Sequence, residues 1–216
     1  MGAFFGVLLA YLAGSFPTGL IVGKLLFGKD PRERGSKATG ATNIFRVFGA
    51  KAAIPVVLFD VGKGALAVFL ASWMGRNAGL PREALQVMGA VAAMAGHVFP
   101  VFAGFRGGKG VATGAGALIV MVPTAAIFCA LGFLLVLGLT GIVSAASMTA
   151  AIVLPLAIAL GAQGRPANPW YLGFGVAVAL FIVFTHRANI KRILSGQEQA
   201  FEKFRFLRRK KKSGNA

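Results

Sequence analysis

Arg106 and Lys109 lie three residues apart in GFRGGKGVATGAG, residues 104–116, among Gly104, Gly107, Gly108, Gly110, Gly114 and Gly116. Glycine lets a backbone approach a ligand closely and adopt positive φ, so successive N–H groups can converge on one concavity. Two cations beside such a concavity make an anion site, and phosphate is the anion that suits it best. Thr113 adds a hydroxyl donor in the same stretch. The composition equally describes a short cytoplasmic loop with orienting cations, and the stretch alone does not separate the two readings.

Two further polar segments carry matching chemistry. Residues 28–50 hold Lys29, Arg32, Arg34, Lys37 and Arg46 against Asp30 and Glu33, with Ser36, Thr39, Thr42 and Asn43 between them. Hydroxyl and amide side chains of this kind donate to oxyanions. Asn43 and Arg46 are spaced to share a helical face. Helix capping accounts for one or two of these residues, not for the cluster. After residue 185, His186, Asn189 and Arg192 step by three, while Ile190, Ile193 and Leu194 form an apolar stripe. That pattern predicts an amphipathic helix lying along a membrane interface, with or without chemistry.

The elements that position these segments are apolar. Of 216 residues, 56% are hydrophobic and only 13% charged, against about a quarter charged in a soluble domain. The apolar residues form long uncharged runs, which predicts an all-α integral membrane protein folded as a single domain over 1–216. The net charge is +17. Ten of the cations follow residue 185 and most others fall in loops, a distribution suited to anionic headgroups and anionic substrates rather than nucleic acid. The segment 199–216 reads as a basic cytoplasmic tail that binds anionic lipid, with no catalytic role. Cys129 is the only cysteine, which excludes a disulfide framework. The first apolar run lacks a basic start and is expected to be a transmembrane helix rather than a signal peptide.

Several chemistries drop out. Gly110, not Ser or Thr, follows Lys109, so the nucleotide P-loop pattern fails. There is no G-x-S-x-G elbow, and six scattered acidic residues make a carboxylate metal site implausible. Neither a metal nor a cofactor is expected. Asp60 and Lys63, inside the run 52–74, are expected to face the bundle interior, either as a structural ion pair or lining a polar cavity, because an unpaired charge at the membrane centre costs about 2.5–3.5 kcal/mol. His97, near the end of the run 84–103, has the chemistry for catalysis, but a lone histidine near a helix end is more often a hydrogen-bonded structural residue, and that role is expected here.

Taken together, GSKATGATNIFRVFG, GHVFPVFAGFRGGKGVATG and HRANIKRILSGQE resemble the three signature segments of the bacterial membrane-integral glycerol-3-phosphate acyltransferases that use acyl phosphate. The resemblance extends over the whole chain, through DVGKGALAV and GIVSAAS. It implies transfer of a fatty acyl group from acyl phosphate to the 1-position of glycerol 3-phosphate, giving lysophosphatidic acid and phosphate, with no obligate protein partner evident. Ser36, Arg46, Lys109, His186 and Asn189 are then the catalytic candidates. Thr42, Asn43, Arg106, Gly107, Gly108, Gly110, Thr113 and Ser144 are the substrate-binding candidates, and Glu198 belongs to the third segment. Lys37 and Ala38 stand where the family usually has glycine and asparagine, so they receive no binding role and a differently shaped loop is expected there. A general base is supplied by His186 or by a substrate phosphate oxygen. The alternative of another class is a transporter or channel for a small phosphorylated anion, but no second copy of the glycine-rich centre supports internal repeats.

Two phosphates meeting one site require all three polar segments on one membrane side. The runs 4–27, 52–74, 84–103, 112–140, 142–161 and 170–185 number six, which would strand His186 on the far side. The stretch 112–140 is too long for one crossing of a ~30 Å core and holds Pro123. It is therefore expected to be two short crossings, making a bundle of seven transmembrane helices, some short or broken, plus the cytoplasmic interfacial helix. The expected location is the bacterial inner membrane, with the site cytoplasmic and the amino terminus periplasmic.

Overall fold

The computed structural model describes residues 1–162, 164 and 166–206. Among them there is no strand. The helices are α1 (Gly2–Ser15), α2 (Thr18–Phe27), α3 (Ala41–Phe48), α4 (Ala50–Met74), α5 (Arg82–Val98), α6 (Val111–Met121), α7 (Pro123–Thr140), α8 (Val143–Ala159), α9 (Pro169–Thr185) and α10 (Arg187–Leu194). Residues Gly2–Phe27, α4, Arg82–Ala103 and α7 are each long and apolar enough to cross a membrane. Helices α9 and α10 meet that test together across a 60° bend, whereas α6 and α8 are shorter. Large apolar side chains such as Phe59, Leu66, Ile127, Leu131 and Leu180 point outward, as lipid contact requires.

The breaks follow local chemistry. Pro17 lacks an N–H and separates α1 from α2. Two groups take up the freed Phe16 carbonyl: the Thr18 amide at 3.0 Å and the Lys63 ammonium at 3.2 Å. The stretch 112–140 is divided as expected. Val122 leaves the helical region at φ −143° and ψ 65°, as the residue before a proline is biased to do, and Pro123 opens α7 at a position whose N–H would be unpaired anyway. The break in 112–140 therefore falls at Pro123, where the sequence predicts it.

Glycines set the depth of packing. A Cβ on Gly14 would lie 2.2 Å from the Ala93 carbonyl oxygen, and one on Gly116 only 1.9 Å from that of Val61. Helix α1 thus touches α5, and α4 touches α6, backbone to backbone, as small residues permit in membranes. Around Gly116 the buried core runs through Leu118, Met121, Ala125, Leu154, Ile158, Phe174 and Ile182, joining α6 to α9.

One amphipathic helix goes beyond those named from the sequence, and one expectation is revised. A second amphipathic helix, α3, packs Ile44 on Ala52, Ala53 and Val56 of α4. The tail is also not wholly a lipid-facing appendage. The Phe201 amide donates to the Gly141 carbonyl at 2.8 Å and the Phe206 amide to that of Gly138 at 2.7 Å, which straps residues 201–206 across the α7–α8 junction. Residues 207–216 of the expected basic tail lie outside the described residues.

Replacing Gly116 with Ala should lower stability by about 1–3 kcal/mol, the usual overpacking cost. Gly62→Ala in the same bundle has open space within 4 Å and should not lower it. Thermal unfolding in detergent compares the two; equal midpoints would contradict the packing described.

Candidate active site

The three polar segments meet at one carboxylate. Glu198 follows α10, and its side chain is only 2% exposed. Its Oε1 accepts from Ser144 Oγ at 2.8 Å and from Asn189 Nδ2 at 2.6 Å, while Oε2 accepts from Arg192 Nε at 2.6 Å. Arg46, from α3, approaches Oε1 at 3.9 Å, too far for a hydrogen bond. Lys109 completes the cluster by donating Nζ to Asn189 Oδ1. One residue from each signature segment, with Ser144 from the start of α8, therefore converges in space.

Electrostatics distinguish the members. Burial pushes the Lys109 ammonium down to about 8; Glu198 opposes that shift, while the like charges of Arg192 and Arg46 add to it. Burial likewise lowers the pKa of Arg46, whose guanidinium remains a cation in any protein. Burial works against ionised Glu198, but its bonds from Asn189, Arg192 and Ser144 prevail and hold it below the usual carboxylate range. The Arg46 Nε is buried without a hydrogen bond among the described residues, and its guanidinium lies 5.3 Å above the Phe201 ring. A buried, fixed cation with an unspent donor is what an oxyanion site needs.

His186 is buried where α9 turns into α10. Its Nδ1 lies 2.8 Å from the Ile182 carbonyl. A carbonyl only accepts, so this contact assigns the proton to Nδ1 and leaves Nε2 with its lone pair.

Other expected site residues take different roles. Asn43 does not face outward: its Nδ2 donates to the carbonyls of Pro31 at 2.8 Å, Arg34 at 3.2 Å and Ala38 at 2.8 Å, and its Oδ1 accepts the Ser36 amide at 2.8 Å. It braces the loop 31–43. Within that loop Lys37 has φ +58°, so the chain keeps a left-handed turn at the position where a glycine is usual. The amides of Gly107 and Gly108 are not open to an anion either. They donate to Val98 at 3.2 Å and His97 at 3.1 Å. Thr113 is fully buried, its carbonyl pressed on Gly64 of α4 and its hydroxyl unpartnered, so it is closed to substrate in this form. Gly110 takes φ +81° at the start of α6. Ser36 and Thr42 are half-buried and Arg106 is exposed. Sequence reasoning left out Arg192, although its step of three from Asn189 was visible. It also left out Phe201, which nothing in the basic tail distinguished from an interfacial anchor.

Comparisons with known proteins give matches over most of the chain. The model of the family described as glycerol-3-phosphate acyltransferase matches residues 4–196. The glycerol-3-phosphate acyltransferase of Chlorobaculum tepidum is 43% identical over an alignment covering 89% of this chain and 93% of that one. That of Enterococcus faecalis is 44% identical, covering 89% and 88%. The crystal structure of PlsY, an integral membrane glycerol 3-phosphate acyltransferase, in its glycerol 3-phosphate form superposes with a TM-score of 0.82 at 36% identity, covering 93% of this chain and 96% of that one. Its lysophosphatidic acid form gives 0.79 at 33% identity.

A lysine whose folded pKa is about 8 instead of 10.5 binds protons less well folded than unfolded, so this group makes stability rise with pH between those values. Its anion binding runs the other way and should weaken as pH rises through about 8. In Lys109→Arg the charge persists, and the alkaline fall in phosphate affinity should disappear. Calorimetric titration with inorganic phosphate from pH 6.5 to 9.5 checks both.

Proposed function

The chain belongs to the glycerol-3-phosphate acyltransferase family, and from that membership we propose that it transfers a fatty acyl group from acyl phosphate to the 1-hydroxyl of glycerol 3-phosphate. The single observation that carries the reading is the convergence of Arg46, Lys109 and Arg192 around Glu198, where all three polar segments join. Two phosphate-bearing substrates need this density of cation, and the structure of PlsY in its glycerol 3-phosphate form is the counterpart among solved proteins.

In this reading the hydroxyl oxygen attacks the acyl carbonyl carbon. The carbon–oxygen bond to phosphate breaks, and inorganic phosphate leaves with the electron pair. Phosphate is already a good leaving group, so the protein supplies proximity and charge stabilisation rather than a nucleophile of its own. Lys109 and Arg46 compensate the phosphates, Asn189 orients Lys109, and Ser144 with Glu198 holds Asn189 in place. Ser36 and Thr42 belong to the loop that Asn43 braces and supply hydroxyl donors there. The hydroxyl proton passes to His186 Nε2 or to a substrate phosphate oxygen. His186→Gln distinguishes them, since it removes the basic nitrogen and leaves substrate-borne proton transfer intact.

The site is assigned to the cytoplasmic face of a bacterial inner membrane, with the amino terminus periplasmic, on the strength of the positive-inside bias. Seven crossings satisfy the requirement that residues 36–46, 106–113 and 186–198 share one side. A cysteine placed at position 123 in a Cys129-free background should label from the periplasm, and cysteines at 140 and 186 from the cytoplasm. Any other pattern refutes the seven-crossing arrangement.

Purified protein given a long-chain acyl phosphate and glycerol 3-phosphate should release phosphate and form lysophosphatidic acid. Lys109→Ala should lose at least about tenfold in kcat/KM, since charged hydrogen bonds contribute about 1.5–3 kcal/mol each. Arg46→Ala should act mainly by raising a substrate KM. Uptake of glycerol phosphate into proteoliposomes without acylation would instead identify a transporter.

A further inference from the structure

A second buried charge cluster lies beneath the glycine-rich loop, apart from Glu198. Asp60 and Lys63 of α4 and His97 of α5 are all buried. Lys63 Nζ lies 2.8 Å from Asp60 Oδ1, and Thr18 Oγ1 donates to the same oxygen at 3.3 Å. The ion pair expected from the sequence is therefore present. His97 differs from its expected role: its Nδ1 is buried with no hydrogen bond among the described residues and lies 3.7 Å from Asp60 Oδ1.

The other edge of the His97 ring carries the loop. A Cβ on Gly108 would lie 2.1 Å from His97 Nε2, and one on Gly107 would lie 2.0 Å from the His97 carbonyl oxygen. The Gly108 amide donates to that same carbonyl at 3.1 Å. The Gly107 carbonyl in turn accepts the Thr39 amide at 3.4 Å. His97 thus supports the residues immediately before Lys109, and through Gly107 it reaches the first polar loop.

We propose that His97 is a positioning residue for the anion-binding loop, oriented by the Asp60–Lys63 pair so that its ring sets the height and direction of Gly107–Lys109. Lys63 also satisfies the Phe16 carbonyl, but stability alone does not call for an imidazole beside the pair, because apolar residues of similar volume often replace buried ionic groups without loss. Placing a carboxylate, an ammonium and an imidazole in a membrane bundle does make sense under a loop whose lysine must be aimed. Glycine at 107 and 108 follows from the same contact: any side chain there would lift the loop off the ring. A one-ångström displacement of a binding cation is enough to weaken a positioned interaction strongly.

The inference rests on reading the glycine-rich loop as a phosphate site, and the experiment separates its failure from failure of the acyl-transfer reading. Wild type, His97→Ala, His97→Gln, Asp60→Asn and Gly108→Ala are compared by unfolding midpoint, by stabilisation with inorganic phosphate, and by KM and kcat. His97→Ala should keep its ligand-free midpoint within about 4 °C and lose most of the phosphate-induced shift. It should also raise the KM for one of the two phosphate substrates about tenfold or more, with kcat changed less than about threefold. His97→Gln, whose amide nitrogen reaches the place of Nε2, should recover most of that loss, and Gly108→Ala should reproduce it. Asp60→Asn should show a weaker form of the same signature. If His97→Ala does not fold, His97→Gln and Gly108→Ala carry the test through their phosphate shifts. An unchanged KM and phosphate shift in Gly108→Ala or His97→Ala overturns the proposal, as does a wild type that phosphate does not stabilise. Phosphate stabilisation that depends on His97 in a protein without turnover would uphold the proposal and remove the acyl-transfer reading.

Discussion

Glu198 is a carboxylate without which the polar end of this bundle would be a set of like charges. Arg192 lies 2.6 Å from Oε2, Arg46 3.9 Å from Oε1, and Lys109 joins through Asn189. Three cations held this close repel one another, and each is partly desolvated, so a counter-charge is needed for them to share a site. One carboxylate supplies it incompletely. The net positive remainder, with Arg46 Nε unspent, is the electrostatic basis for binding phosphate. The same residue ties three chain segments together: Ser144 from α8, Asn189 and Arg192 from α10, and Arg46 from α3 all touch a group that follows the last helix. The aromatic strap of Phe201 and Phe204 over Phe45 then closes this corner.

A site built on loops between membrane helices needs those loops to be rigid, and the bundle supplies that rigidity through backbone contact. Gly14 on Ala93 and Gly116 on Val61 leave no space for a side chain, so α1 is locked against α5 and α4 against α6 on either side of the glycine-rich loop. Above them, Asn43 spends its whole amide on the loop 31–43, and the amides of Gly107 and Gly108 are tied to the end of α5. Catalysis by proximity and charge stabilisation depends on such preorganisation, since a donor that must move into place loses part of its worth in doing so. The broken span at Pro17 belongs to the same economy: Lys63 satisfies the freed Phe16 carbonyl and also holds Asp60 beside His97.

The membrane class was legible from the apolar runs alone, because hydrocarbon excludes charge irrespective of how helices pack. The division of 112–140 was legible too: a run too long for one crossing containing Pro123 had to break there, and Val122 is where it does. The three polar segments stood out for the same reason, as the places where polar side chains interrupt apolar sequence. What these features could not provide was the division of labour within each segment. Asn43 and Arg46 share a helical face by spacing, yet one braces a loop through four backbone groups and the other reaches the site. Gly107 and Gly108 looked like anion-binding amides, and only their distance to Val98 and His97 reveals that those donors are taken. Thr113 sits within the same motif but turns inward against α4. The Glu198 contacts to Ser144 and Arg46 cross 54 and 152 positions of chain, and His97 meets Asp60 across 37. Residue type and local spacing determine which groups can carry charge or donate a hydrogen bond. Which of them remain unspent is decided by partners that chain folding brings together, and those partners exist only in the tertiary structure.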